Sequence, residues 1–64
     1  MYILEDEQVE KHLKDKGIIN RIVIVCVVTE IFLMQKAGNN FTSKQEAFDS
    51  VNIAARRYAK TITQ

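Results

Sequence analysis

The chain has very few of the residues from which small proteins build cross-links and ligand sites. It contains one cysteine, Cys26, and one histidine, His12, so neither an internal disulfide nor a zinc site of four such ligands can form within one copy. Its two glycines, Gly17 and Gly38, are isolated in the sequence, which excludes a glycine-rich phosphate loop. There is no proline, and 47% of the residues are hydrophobic, as in folded globular proteins. We therefore predict a folded protein without metal or cofactor.

The length of the chain sets a second limit. A domain of 64 residues buries only about 60% of the surface that its unfolded chain exposes, so its stability is marginal. With disulfides and metals excluded, self-association or binding to a partner is the remaining way to bury more surface. We predict a single domain over residues 1–64 that forms a homo-oligomer, most simply a homodimer. A lone cysteine in an apolar run fits a reducing compartment, and we expect a cytoplasmic protein.

No combination of residues predicts catalysis. A nucleophilic thiol or hydroxyl needs an oriented base nearby, but His12 is the only histidine and Cys26 lies in the most apolar part of the chain, where a thiol is inert. The net charge of +1 does not by itself predict binding to nucleic acid or to a membrane. The apolar run 22–34 is interrupted by Thr29 and Glu30 and is shorter than the about 20 residues that a membrane span needs. We expect a non-enzymatic protein with no membrane partner.

Hydrophobic periodicity and helix-end signals predict three helices. The first, at about 5–16, begins with acidic residues and ends with lysines before Gly17, which suits the helix dipole and a C-terminal glycine cap. The second, at about 18–37, ends before Gly38. The polar residues of this helix are scattered around its circumference and form no continuous polar side to face water. We therefore expect the helix to be buried on most sides in a homo-oligomeric helical bundle. They are Asn20, Arg21, Thr29, Glu30, Gln35 and Lys36.

The third predicted helix, at about 43–62, is the most clearly amphipathic. Ser43 stands three residues before Glu46, which is the spacing of a capping box. Apolar residues then recur every three or four positions and form an inward stripe. Ile53 alone breaks the polar outer face, and it is either an ordinary exposed apolar residue or the centre of a docking patch for another protein. The candidate partner-binding residues are Asp49, Asn52, Ile53, Arg56, Arg57 and Lys60.

Residues at about 20–28 are also rich in isoleucine and valine, which favours a strand. With that strand, the order strand, helix, helix over about 40 residues resembles the ribbon-helix-helix repressors. The resemblance implies an α+β dimer that binds DNA, with Asn20 and Arg21 as base-reading residues and the amides near Ser43 and Lys44 holding a phosphate. The sequence thus predicts a small regulatory or adaptor protein that binds another protein through its C-terminal helix, with a DNA-binding repressor as the alternative.

Overall fold

The computed structural model of the chain describes residues 1–62 and contains three helices. These are α1 (Asp6–Asp15), α2 (Arg21–Lys36) and α3 (Lys44–Ile62). The predicted all-α fold is confirmed, and the segment for which a strand was the alternative lies in α2 apart from its first residue, Asn20. No described helix is both long enough and apolar enough to cross a membrane.

The second helix begins three residues later than predicted because Asn20 caps it. The side-chain oxygen of Asn20 accepts hydrogen bonds from the backbone amides of Ile22 at 2.9 Å and Val23 at 3.3 Å. An asparagine in this position satisfies amides that have no partner within the helix, so the helix starts at the residue after it. Ile18 and Ile19 therefore belong to the connection between α1 and α2 rather than to the helix.

Both predicted glycine caps are confirmed at the ends of α1 and α2. Gly17 and Gly38 have φ angles of 85° and 93°, the left-handed conformation that glycine adopts without steric strain. The amide of Ile18 donates to the carbonyl of Leu13 at 3.0 Å, and the amide of Asn39 donates in the same way to a carbonyl five residues earlier. These are the hydrogen bonds of the Schellman motif, which reverses the chain directly after each helix.

The core lies between the three helices, with α2 packed against both of the others. Each helix contributes its inward side, and the segments before α1 and before α3 add one large side chain each. Burial of these side chains is the main favourable contribution to the free energy of folding. The buried apolar residues are Leu4, Val9, Leu13, Val23, Ile24, Val27, Ile31, Phe41, Ala47, Val51, Ala54 and Ala55.

The first residues of the chain, which precede the first predicted helix, are held by hydrogen bonds near the C-terminal end of α2. The side-chain amide of Gln35 accepts from the backbone amide of Leu4 at 2.8 Å and donates to the backbone carbonyl of Leu4 at 3.0 Å. The amide of Tyr2 donates to the carbonyl of Phe41 at 2.8 Å in an isolated antiparallel bridge. These contacts place Leu4 and Phe41 in the core, although neither belongs to a helix.

The start of α3 follows its predicted cap in part. The hydroxyl of Ser43 accepts a hydrogen bond from the backbone amide of Glu46 at 3.2 Å, as the capping box predicts. The carboxylate of Glu46 accepts a hydrogen bond from the hydroxyl of Thr42. Thr42, which is not part of the capping-box pattern, thus binds the carboxylate of Glu46.

Candidate functional site

The predicted partner-binding residues of α3 divide into a central row and two edges. The central row faces water, and Ile53 in its middle is 63% exposed. The spacing of this row, four, three and four residues, keeps all its members on one side of the helix. The central row consists of Asp49, Ile53, Arg56 and Lys60, all exposed. Asn52 lies on the edge towards α1, and Arg57 lies on the edge towards α2.

The edge towards α1 is held by a hydrogen bond between side chains. Nε2 of His12 lies 2.8 Å from Oδ1 of Asn52, at hydrogen-bonding distance. The His12 ring also packs on Phe48, with the ring centroids 4.6 Å apart, and His12 is half-buried in this contact. Asn52 is therefore engaged within the chain and is only partly open to a partner.

The edge towards α2 is held by Glu30. Its carboxylate accepts hydrogen bonds from the guanidinium of Arg57 and, at 2.9 Å, from the hydroxyl of Tyr58. The hydrogen bond to Glu30 raises the pKa of Arg57, and the same carboxylate raises the pKa of Tyr58 by favouring its protonated form. Both interactions join α2 to α3. The buried residues Val51, Ala54 and Ala55 lie on the inner side of α3, which leaves the central row on its outer side.

A second surface, absent from the predicted binding residues, lies on the outer side of α2. Ile22 and Val25 are 61% and 60% exposed, and Leu33 is 55% exposed. The sequence signal was present, because no residue at these positions is charged, but the prediction treated this helix as buried on most sides in an oligomer and did not single out these positions as a surface. We call this surface the α2 face. It consists of Ile22, Val25, Cys26, Thr29, Phe32 and Leu33, of which Cys26 is half-buried.

A shallow groove continues the α2 face towards the end of α3. It has a volume of about 540 Å³ and is lined by Cys26, Leu33, Met34 and Tyr58, among others. Most of its lining is apolar, and Glu30, the one ionisable carboxylate beside it, is bound to Arg57. The groove therefore enlarges the apolar surface rather than adding reactive groups.

Among residues 1–62, no group of three histidine, cysteine or acidic side chains is arranged to hold a metal ion. Cys26 and His12 lie on different helices, and the structure gives each a separate environment: Cys26 belongs to the α2 face, and His12 contacts α3. The described residues thus present two distinct exposed surfaces, one charged on α3 and one apolar on α2.

The residues implied by the repressor resemblance lie at the starts of α2 and α3. The side chain of Asn20 is occupied in capping α2. Arg21 is exposed in the first turn of the same helix. Ser43 accepts from the amide of Glu46, so its hydroxyl serves the start of α3.

The chain is a small three-helix protein with one charged and one apolar exposed face on its described residues. No family model matches the chain, and no curated protein or solved structure shows a significant similarity to it. Its function must therefore be inferred from its own residues.

Proposed function

We propose that this chain is a non-enzymatic regulatory or adaptor protein of the cytoplasm that acts as a homodimer and binds another protein through the outer face of α3. The observation that carries the proposal is the central row of that helix. An isoleucine stands there in water with Asp49, Arg56 and Lys60 around it. An apolar centre with a charged rim is the arrangement from which protein-binding hot spots are built.

The edges of α3 support this role. Since Asn52 is bound to α1 and Arg57 to α2, the helix is fastened on both sides, and the row between them needs little ordering when a partner binds. A pre-organised surface avoids part of the entropic cost of association. The basic residues Arg56 and Lys60 favour a partner whose contacting surface is acidic at its rim and apolar at its centre.

The homodimer accounts for the uncovered side of α2. One copy buries Val23, Ile24 and Val27 but leaves Ile22 and Val25 in water, so the chain by itself does not cover the run that the sequence marks as core. A contiguous exposed apolar surface of this kind marks an interaction site in soluble proteins. A dimer would leave both α3 faces open and present two copies of the binding surface.

The double variant Ile53→Asp with Arg56→Glu tests the partner-binding face. Both side chains are exposed, so we expect the melting temperature to stay within about 3 °C of the wild type, because exposed substitutions change stability by under about 0.5 kcal/mol each. The immobilised variant should fail to capture from a host lysate the protein that the wild type captures.

A matched control carries the same change in net charge at exposed positions away from α3, namely Lys11→Glu with Asn40→Asp. This control should capture the partner normally. Normal capture by the α3 variant would place the binding site elsewhere, and unfolding of that variant would show that Ile53 belongs to a buried interface.

If the captured component is DNA, binding should weaken steeply as salt rises, which an apolar docking site would not show.

A further inference from the structure

The α2 face is unusual for the solvent side of a helix because it carries no charge over three turns. From Ile22 to Leu33 its outward positions hold apolar residues, Cys26 and Thr29, and the one acid of that stretch, Glu30, is turned to α3 and bound to Arg57. An amphipathic helix in contact with water normally presents polar side chains there. This side of α2 therefore has the composition of a buried surface although one copy leaves it open.

The size of the α2 face matches what a small dimer requires. A stable interface buries at least about 600 Å² on each partner, which is roughly one eighth of the 4555 Å² surface of this chain. Large apolar side chains that are half exposed offer on the order of 100 Å² each. Ile19, just before the helix, extends the surface and is itself 80% exposed. Five such side chains together with Cys26 and Thr29 reach the required area.

The spacing of residues on this face is the same in both directions along the helix. Ile22, Cys26, Thr29 and Leu33 follow one another at intervals of four, three and four. A two-fold symmetric interface brings one surface against itself, and a helix face with this spacing, which the central row of α3 shares, is compatible with an antiparallel pair. In that register Ile22 would pack against Leu33 of the second copy, and Cys26 would pack against Thr29 of the second copy.

We propose that the α2 face is the interface of an antiparallel homodimer. Its two-fold axis lies between the two α2 helices, at the level between Val27 and Val28 along each helix. This inference rests on the proposed dimer and specifies the surface and direction in which it forms. The helices would lie about 8–10 Å apart, the ordinary distance for packed helices. Phe32 of each copy would cover the region between Ile22 and Val25 of the other.

Charges at the two ends of α2 favour the antiparallel direction. Arg21 begins the helix, whereas its other end shares a cleft with three acidic residues, Glu5, Asp6 and Glu7, and one basic residue, Lys36, so that end carries a net negative charge. An antiparallel pair brings Arg21 of one copy towards the acidic group of the other copy. A parallel pair would place Arg21 beside its own equivalent, which is unfavourable. The helix dipoles also attract each other only in the antiparallel pair, where they point in opposite directions.

The native cysteine gives a direct test of the interface. In the proposed register the two copies of Cys26 are offset by three residues, or about 4–5 Å along the helix axis, on either side of the two-fold axis. A short bismaleimide applied to the folded wild-type protein should therefore yield a covalent dimer in high proportion. The same treatment in denaturant should give little dimer, and Cys26→Ser should give none.

Two further variants test the direction of the helices. Ile22→Cys and Leu33→Cys are each made in a Cys26→Ser background, and their self-association is checked by sedimentation. Antiparallel packing puts the two equivalent positions 22 about 16 Å apart along the axis. Each variant alone should link poorly, whereas an equimolar mixture should give a linked heterodimer.

The outcomes separate this inference from the proposed function. Efficient linking through Cys26 together with linking in the mixture supports the antiparallel interface. A dimer that links neither through Cys26 nor in the mixture overturns the interface but leaves the proposed dimer in place, and efficient linking of Ile22→Cys with itself overturns the direction. A chain that stays monomeric at all concentrations overturns both, and a monomer that loses its protein partner on Val25→Asp assigns the α2 face to that partner instead.

Discussion

The outer sides of α2 and α3 differ in charge although both helices bury their inner sides in the same core. The outer side of α3 carries Asp49, Arg56 and Lys60 around one isoleucine, and such a surface is stable in water. The outer side of α2 carries Ile22, Val25 and Leu33 with no charge among them. Two helices that face the same solvent thus differ in the composition of their outer sides: the outer side of α3 can stay in water until a partner binds, and the outer side of α2 has the composition of a buried surface.

The largest effects are expected from substitutions of two valines on opposite sides of α2. Val27 is fully buried in the core, and Val27→Asp should destabilise the fold by about 3–5 kcal/mol, because it leaves a buried charge without a partner. A domain of this size has little more stability than that, so the variant should lose its helical circular dichroism at room temperature.

Val25→Asp is the matched change on the outer side of the same helix. A carboxylate at this exposed position stays in water, so the variant should remain helical, while its self-association should be abolished by two like charges in the interface. Equal unfolding of both variants would mean that the two sides of α2 are equally buried.

A smaller effect is expected at the edge of α3. Asn52→Ala removes the hydrogen bond to His12 that joins α1 to α3 and should lower the free energy of unfolding by about 1 kcal/mol in urea titration. Gln45→Ala is the control, because it removes a hydrogen bond to Asp49 that lies on the exposed surface of a single helix. If the two variants lost equal stability, the contact between α1 and α3 would contribute no more than a surface interaction.

The smallest expected effect concerns alkaline pH. The hydrogen bond to Glu30 raises the pKa of Tyr58 above its ordinary value of 10.0, so the contribution of this phenol to stability is present below pH 10 and is lost as the pH rises through the raised pKa. The stability difference between the wild type and Tyr58→Phe should therefore narrow as the pH is raised above 10. Tyr2→Phe, which removes a phenol without touching Glu30, is measured in parallel as the control for general effects of alkaline pH.

The sequence predicted those features that depend on local signals. The three helices, the glycine caps at Gly17 and Gly38 and the role of Ser43 at the start of α3 all follow from residues within a few positions of each other. The amphipathic pattern of α3 also predicts that Ile53 lies on its outer side, where this residue is indeed exposed. Such features can be predicted because one or two turns of helix contain both partners of each interaction.

The features that the sequence did not predict depend on distant residues. Gln35 fastens Leu4 over a separation of 31 residues, and Glu30 binds Arg57 from another helix. Within α2, Val25 and Val27 are the same residue type in the same apolar run, so periodicity does not distinguish the exposed one from the buried one. Only the position of the neighbouring helices decides which side of α2 is covered.

The most direct test of whether a second copy covers the outer side of α2 is sedimentation equilibrium of the wild-type chain over a range of concentrations. If it does, the chain should associate reversibly towards twice the 7.4 kDa mass of one copy at micromolar concentrations, and Val25→Asp should abolish this association. A folded wild-type chain that sediments as a single copy throughout that range would contradict the dimer.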